Sequence, residues 1–230
     1  IEACRHRSMH RRHYTLESGL RTPLLLRLPN RPLDDEGFEA TLRAQRARTG
    51  TSGVVEVAVR RTIQSCSITT PSASVCSSAN VTVVARGGPH DRVSDLNCFW
   101  LASDPKAPTT LPTGHSGRFS DYDSLRLYYV GMGGNNNTTT RFRRYLGDGT
   151  KPLLPDHDRT EPGVLLQPNH KYRIRITVAN GVTEYWRDGE RLFSFRDPAP
   201  LTSGWFALRT VRSHLIVRNL AVRNLADPVR

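Results

Sequence analysis

Hydrophobic and polar positions alternate with a period of two through residues 172–178, 182–187 and 190–196. Such alternation is typical of β-strands with one buried and one solvated face. The pairs Asn180-Gly181 and Asp188-Gly189 separate the three segments. Asn-Gly and Asp-Gly suit type I′ turns, because both central residues must adopt positive φ. The pattern therefore predicts an antiparallel meander joined by two tight hairpins.

Further alternating segments, separated by turn residues, lie before and after this meander. No convincing amphipathic helix separates them, so the pattern predicts an all-β sandwich or barrel. These segments are residues 81–86, 95–101, 125–130, 138–145, 204–210 and 214–222.

Residues 1–80 do not follow this pattern. Twelve of the first 61 residues are arginine, and residues 65–78 are rich in Ser and Thr. We therefore predict two regions, a poorly patterned one over residues 1–80 and a β-sandwich domain over residues 81–230. The first region is interpreted as disordered, or as an out-of-frame reading of a GC-rich gene, in which shifted codons over-produce Arg, Ser and Pro.

The net charge of +12 comes almost entirely from arginine, with 30 Arg against only three Lys. Such an excess favours polyanionic partners, although a GC-rich genome and a solvated arginine surface explain it equally well. No block of five or more like charges occurs, so a nucleic-acid partner is not favoured. No apolar run is long enough to span a bilayer, and no signal peptide is visible at the start.

The four cysteines, Cys4, Cys66, Cys76 and Cys98, lack the C-x-x-C spacing of metal sites. Cys98 lies within a strand pattern and is interpreted as a small buried hydrophobe. Cys66 and Cys76 are placed to close a short loop in an oxidising compartment, but the sequence leaves their state open.

Most of the chain resembles a family of concanavalin A-like (lectin/glucanase superfamily) jelly-roll domains from polysaccharide-degrading bacteria and some fungi. The resemblance covers about residues 81–224 and implies a sandwich of two antiparallel sheets, with an irregular N-terminal third. It also implies a secreted or extracellular protein whose partner is a polysaccharide or oligosaccharide, including uronate- or rhamnose-containing ones. The residues that carry it are 87–100, 117–123, 128–141, 185–189 and 203–206.

Period-two alternation assigns each predicted strand an inner and an outer face. The residues predicted to face the core are Leu96, Cys98, Trp100, Leu125, Leu127, Tyr129, Phe142, Tyr185, Phe206 and Leu208. Those predicted to face outward are Asp95, Asn97, Phe99, Arg126, Tyr128, Arg141, Arg143, Glu184, Trp186, Trp205 and Arg209.

The outward set mixes aromatic rings with planar hydrogen-bonding groups, and we predict that it forms one glycan-binding surface. Aromatic rings stack on sugars, while Asn, Asp and Arg bond hydroxyls, and Arg pairs bidentately with uronate carboxylates. The alternative is that Arg and Tyr are merely common on exposed strand faces. The predicted substrate-binding residues are Asp95, Asn97, Arg126, Asn135, Asn137, Arg141, Arg143, Trp186, Trp205 and Arg209.

The loop at residues 131–140 contains three consecutive Asn and three Thr. These side chains suit a sugar hydroxyl or a structural Ca²⁺, the only cofactor that the sequence suggests. A polar turn with left-handed Asn residues is the favoured alternative.

Catalysis is left open by the sequence. A retaining glycosidase needs two carboxylates about 5–5.5 Å apart, and the Glu-x-Asp-x-x-Glu motif of glucanase relatives is absent. A lyase instead needs a group that neutralises the uronate and an acid/base pair. Candidates for the acid/base roles are His90, Tyr122, Tyr128 and His157. The resemblance leans towards a polysaccharide lyase or glycoside hydrolase, and the alternative is a non-catalytic carbohydrate-binding module.

Overall fold

The computed structural model describes the backbone of residues 13–16, 24–25, 56–62 and 75–224, except 89, 90, 111, 113, 114, 116, 117 and 212. Side chains are described only between residues 76 and 220. The predictions for residues 1–80 therefore fall mostly outside the described residues. The boundary predicted at residue 81 lies within a strand that begins at Val75.

Thirteen strands are found among the described residues, together with a four-residue helical turn α1 (Gly134–Asn137) and 3₁₀ turns at Phe119–Tyr122, Pro155–His157 and Pro162–Val164. The strands are β1 (His13–Leu16), β2 (Leu24–Leu25), β3 (Glu56–Thr62), β4 (Val75–Val84), β5 (Leu96–Ser103), β6 (Arg126–Gly133), β7 (Thr139–Leu146), β8 (Asp158–Arg159), β9 (Lys171–Ala179), β10 (Val182–Arg187), β11 (Glu190–Arg196), β12 (Ser203–Arg209) and β13 (His214–Asn224).

The strands form two packed sheets, which confirms the predicted jelly-roll sandwich. Sheet A has the order β1-β13-β4-β9-β10-β11, and sheet B has the order β2-β3-β12-β5-β6-β7-β8. All pairings are antiparallel apart from the short β2–β3 pair. No helix among the described residues is long and apolar enough to cross a bilayer.

The two predicted hairpins form as expected. Asn180 and Gly181 have φ values of 51° and 73°, and Asp188 and Gly189 have φ values of 53° and 94°. Positive φ at both central residues is the signature of the type I′ turn, whose twist matches that of the flanking strands. Local sequence therefore fixes the β9–β10–β11 part of sheet A.

The main core lies between the sheets and is built around Trp100, which is 3% exposed. Its indole Nε1 donates to Thr183 Oγ1 at 2.9 Å, and its ring contacts those of Tyr128, Phe142 and Tyr185. This core confirms the inward assignment of Leu96, Cys98, Trp100, Phe142, Tyr185, Phe206 and Leu208.

A second apolar cluster lies on the opposite face of sheet B and corrects four face assignments. Leu125, Leu127 and Tyr129, predicted to face the main core, belong to this outer cluster, whereas Tyr128 lies between the sheets. The outer cluster is covered by the segment between β5 and β6, which places Tyr122 against Phe99 with ring centroids 5.0 Å apart. Sheet B is therefore buried on both faces here, so hydrophobicity alone does not identify its inner side. Phe99, predicted to face outward, does so but is buried.

The described cysteines are in different states. Cys98 is free and buried, as predicted, and burial raises the pKa of its thiol to about 12. Cys76 is disulfide-bonded.

Candidate functional site

Five residues of neighbouring strands form a transverse row across the outer face of sheet B. Register pairs Arg209 of β12 with Asn97 of β5, Asn97 with Gly131 of β6, Gly131 with Arg141 of β7, and Arg141 with Asp158 of β8. Three of the predicted substrate-binding residues therefore lie at one level of one sheet. We call this set the Arg141 row.

The β7–β8 end of the row is open to solvent. Arg141 Nε donates to Asp158 Oδ1 at 2.6 Å, and its Nη2 donates to Asp158 Oδ2 at 3.2 Å. The side chains of Arg141 and Asp158 are 34% and 32% exposed. This bidentate pair holds the guanidinium in one orientation and lowers the pKa of Asp158. The Nη1 edge of Arg141 takes no part in these two bonds.

Arg143 is the next outward-facing residue of β7 and lies beside Arg141. Its Nη1 donates to the carbonyl oxygen of Lys151 at 2.7 Å, which fixes the plane of the guanidinium. Residues two apart on a strand are about 6.8 Å apart on the same face. Two guanidinium groups with fixed orientation therefore stand next to each other at the open end of the row.

The middle of the row is a buried polar floor. Tyr129 Oη donates to Asn97 Oδ1 at 2.8 Å. A Cβ atom at Gly131 would lie 1.9 Å from Tyr129 Oη and 2.8 Å from Asn97 Oδ1, so this arrangement requires glycine at that position. Burial raises the pKa of Tyr129 above its usual value, so its hydroxyl is neutral and serves as a hydrogen-bond donor.

The β12 end of the row is closed. Arg209 is buried, and its guanidinium lies 5.3 Å from the Phe119 ring centroid and 5.8 Å from that of Tyr122. Trp205 is buried in the same outer cluster. Tyr122, a predicted catalytic residue, is itself part of the cover and is 1% exposed. Trp205 and Arg209 face outward as predicted, but the cover buries them, and Tyr122 is buried with them.

The single glycan-binding surface predicted from alternation is wrong, because its members lie on three separate parts of the molecule. Trp186 lies on the outer face of sheet A, and Tyr128 lies between the sheets. Arg141 lies on the outer face of sheet B, on the opposite side of the sandwich from Trp186. Arg126, at the start of β6, is exposed but does not belong to the row.

Asp95, Asn135 and Asn137 lie at one end of the sandwich, near the start of β5. The three asparagines of α1 have φ values between 51° and 62°, which confirms the polar turn with left-handed Asn residues. The side-chain amide of Asn137 bonds both backbone groups of Leu166. Its Nδ2 donates to the Leu166 carbonyl oxygen, and its Oδ1 accepts from the Leu166 N–H, at 2.8 Å each. Asn136 Oδ1 accepts from Arg92 Nη1 at 2.8 Å. These two oxygens accept from protein donors, and the suggested calcium ion stays a prediction.

No group of three or more His, Cys, Asp and Glu side chains converges as a metal site within the described residues. His90 lies outside the described residues, so its proposed catalytic role stays a prediction.

His157 is buried beside three phenylalanine rings rather than in a cleft. Its ring centroid lies 4.8 Å from that of Phe142 and 5.9 Å from those of Phe193 and Phe195. Burial lowers the pKa of His157, so the folded protein keeps the ring neutral. This position suits packing rather than proton transfer to a ligand.

We expect the domain to lose stability as the pH falls from 7 to 5, with part of the loss removed by His157→Gln. A histidine with a lowered pKa binds its proton more readily when unfolded, so protonation below about pH 6.5 favours the unfolded state. Urea unfolding at several pH values measures this. His115 also has its pKa lowered by burial, so the difference between the two proteins, rather than the whole slope, reports on His157. Parallel pH profiles for both proteins would contradict the assignment.

A family model for a domain of unknown function, DUF6250, matches residues 72–220. This is more than half of the chain. The chain belongs to the DUF6250 family. The matched residues include all of the Arg141 row and the strands from β4 to β12.

Solved structures resemble the domain at the level of the fold. Carbohydrate-binding module CBM66 from Bacillus subtilis is 12% identical, with a TM-score of 0.44 over 66% of this chain and 76% of that one. A Bacillus subtilis protein of unknown function with a galectin-like fold is 12% identical, with a TM-score of 0.48 over 66% and 73%. Family 7 alginate lyase A1-II′ is 12% identical, with a TM-score of 0.41 over 72% and 65%. A search of curated proteins finds no match.

The residues that sequence reasoning missed are Tyr129, Gly131 and Asp158. Tyr129 was assigned to the wrong face, and Gly131 has no side chain whose chemistry attracts notice. Asp158 was not among the predicted site residues, yet register pairs it with Arg141. The sequence carries no signal for the pairing of β7 with β8, because a long loop separates the two strands.

Proposed function

We propose that this DUF6250 domain binds an acidic polysaccharide at the open end of the Arg141 row and does not cleave it. The observation that carries the proposal is the pair of oriented guanidinium groups, Arg141 and Arg143, on consecutive outward positions of β7. Guanidinium groups match the planar carboxylate of a uronate residue and form charge-assisted hydrogen bonds with it.

The arrangement of these two arginines favours binding because little order is lost when a ligand arrives. Asp158 and the Lys151 carbonyl already fix the two side chains. Long flexible side chains otherwise lose about 0.5–1.5 kcal/mol each when an interface immobilises them. Because Arg141 and Arg143 follow one another along β7, they suit an extended chain whose carboxylates lie along that strand.

The titratable groups described on this face favour binding over catalysis. Burial raises the pKa values of Tyr129 and Tyr145, so neither supplies a base near neutral pH. Asp158 is held as a carboxylate by Arg141, and Asp123 is paired with Lys151. Arg141 lowers the pKa of Asp158, so that carboxyl group is not set up as a general acid.

A secreted location fits the same proposal. The disulfide at Cys76 is of a kind that persists in oxidising compartments, where extracellular polysaccharides are met.

Replacing both guanidinium groups tests the proposal directly. We expect Arg141→Gln/Arg143→Gln to weaken the binding of a polyuronate such as polygalacturonate at this site by about a hundredfold or more, because at least two charge-assisted bonds are lost. Each lost charge-assisted hydrogen bond is worth about 1.5–3 kcal/mol, and about 1.4 kcal/mol is a factor of ten. Isothermal titration calorimetry measures the dissociation constant.

The control variant Arg86→Gln/Lys106→Gln removes the same charge from exposed residues elsewhere and should bind as the wild type does. Neutral dextran should bind neither protein. Equal polyuronate binding by the wild type and the Arg141/Arg143 variant would reject the site. Release of unsaturated uronate or of new reducing ends by the wild type would reject the proposal that the domain does not cleave its ligand.

A further inference from the structure

The outer face of sheet A carries a second concentration of positive charge, away from the Arg141 row. Along β9, Lys171, Arg173 and Arg175 alternate with inward-facing apolar residues. Residues at such i, i+2 positions project from the same face about 6.8 Å apart. Lys171 and Arg173 are exposed, and Arg175 is half-buried. One strand therefore presents three cations in a line.

The neighbouring strands widen this line into a patch. Register pairs Arg175 of β9 with Trp186 of β10, and Trp186 with Arg191 of β11. Strands lie about 4.8 Å apart, so these three side chains form a ladder across the sheet. Arg196, at the end of β11, is exposed on the same side. We call these residues of β9–β11 the cationic face.

Trp186 holds the guanidinium groups of this ladder in place. The Arg175 guanidinium lies 4.4 Å from the Trp186 ring centroid, and that of Arg191 lies 5.9 Å from it. The indole Nε1 donates to Glu184 Oε2 at 3.1 Å, and Arg191 Nη1 donates to Glu184 Oε1 at 2.9 Å. Stacking on an aromatic ring fixes the plane of a guanidinium and reduces the freedom that it loses on binding.

The charge of the cationic face is strongly unbalanced. Lys171, Arg173, Arg175, Arg191 and Arg196 are positive, and Glu184 is the one carboxylate among the described outward side chains of β9–β11. Two more carboxylates, Asp188 and Glu190, lie at the β10–β11 turn. There Asp188 accepts from the Arg173 backbone N–H and Glu190 lies 3.6 Å from Arg187. Such a field attracts polyanions.

We infer that the cationic face is a second, independent binding site for an acidic polysaccharide chain. The inference goes beyond the proposed function, because it places ligands on both outer faces of the sandwich. One domain then bridges two chains. Single-stranded nucleic acid fits less well, because proteins bind it by stacking bases on aromatic rings. Trp186 already lies between Arg175 and Arg191.

The test removes exposed charge and leaves the Arg175–Trp186 stack intact. Lys171→Gln/Arg173→Gln/Arg191→Gln is made both in the wild type and in the Arg141→Gln/Arg143→Gln variant. We expect the Arg141→Gln/Arg143→Gln variant, without the three further substitutions, to keep measurable, salt-sensitive binding to polygalacturonate. Adding the three substitutions should weaken that residual binding at least tenfold. Circular dichroism melts confirm that each variant folds.

A charge-preserving control separates charge from shape. Lys171→Arg/Arg173→Lys leaves the stacked Arg191 unchanged and should keep the residual binding within about twofold, because the attraction of these two exposed side chains is electrostatic and depends little on the cation. Bridging gives a second readout. The wild type should make polygalacturonate solutions turbid, and each set of Gln substitutions alone should prevent this.

Two results would overturn the inference. One is residual polygalacturonate binding that the three Gln substitutions leave unchanged. The other is tighter binding of single-stranded DNA than of polygalacturonate by the Arg141→Gln/Arg143→Gln variant, lost with the same three substitutions. Failure of the Arg141 site would be seen separately. In that case the Arg141→Gln/Arg143→Gln variant would bind polygalacturonate as tightly as the wild type does.

Discussion

Replacing Asp197 by alanine is expected to destabilise the domain by about 3–5 kcal/mol, the range for removing one partner of a buried ion pair. Asp197 Oδ2 accepts from Tyr128 Oη and from Arg144 Nε, both at 2.7 Å. The side chains of Asp197 and Arg144 are only 5% and 11% exposed. Alanine would leave the Arg144 guanidinium without its counter-charge and the Tyr128 hydroxyl without its acceptor. Urea unfolding followed by circular dichroism measures the change.

Two variants serve as comparisons for Asp197→Ala. Asp156→Ala removes a carboxylate from an exposed residue and should change the free energy of unfolding by less than about 0.5 kcal/mol. Asp197→Asn keeps the shape and one acceptor oxygen but loses the charge, so its effect should fall between the two. A loss below about 1 kcal/mol for Asp197→Ala would show that this network does not join the sheets.

Replacing Trp100 by alanine should also cost about 3–5 kcal/mol, as large-to-small changes at buried aromatic residues do. The indole lies in the centre of the main core, in contact with the rings of Tyr128, Phe142 and Tyr185. Its removal leaves a cavity and takes away the bond to Thr183 Oγ1. Circular dichroism is again the suitable probe, because the substitution itself alters tryptophan fluorescence.

Trp186→Ala is the matched control for Trp100→Ala. Trp186 is half-buried on the outer face of sheet A and contacts guanidinium groups rather than the core. Cation–π contacts at such sites are worth about 0.5–1 kcal/mol each, so we expect a loss of about 1–2 kcal/mol. Equal losses for the two variants would contradict the placement of Trp100 inside the sandwich and Trp186 outside it.

The strands and hairpins of the C-terminal half were predictable, because their causes are local. Asn180-Gly181 and Asp188-Gly189 adopt the positive φ values that their residue types tolerate. Alternation along β9 and β10 places Tyr185 inside and Trp186 outside, as predicted. These signals need no knowledge of the rest of the fold.

The faces of β6 were not predictable in the same way. Leu127 and Tyr129 alternate with Tyr128 and Val130, and both sets are apolar. The covering segment with Tyr122 buries one set, and the opposite sheet buries the other. Alternation shows that two faces exist but does not show which of two buried faces meets sheet A.

The candidate sites were likewise predictable only where their signals are local. Arg141 and Arg143 were predicted to face outward, and they do, but their partner Asp158 comes from a strand reached through a long loop. The cationic face had a signal that went unused, namely Lys171, Arg173 and Arg175 alternating with apolar residues. Trp186 was grouped with arginines that lie on sheet B, and not with the two arginines that register places beside it.

The sequence by itself determined the strands, the tight turns and the two-faced character of each strand, because φ preferences and period-two side-chain direction act over a few residues. The tertiary structure decided which faces are covered and which arginines stay in solvent. It placed Trp205 and Arg209 under the segment that carries Tyr122, and it left Arg141 open. Burial is set by segments distant in the chain, and a local pattern does not contain that information.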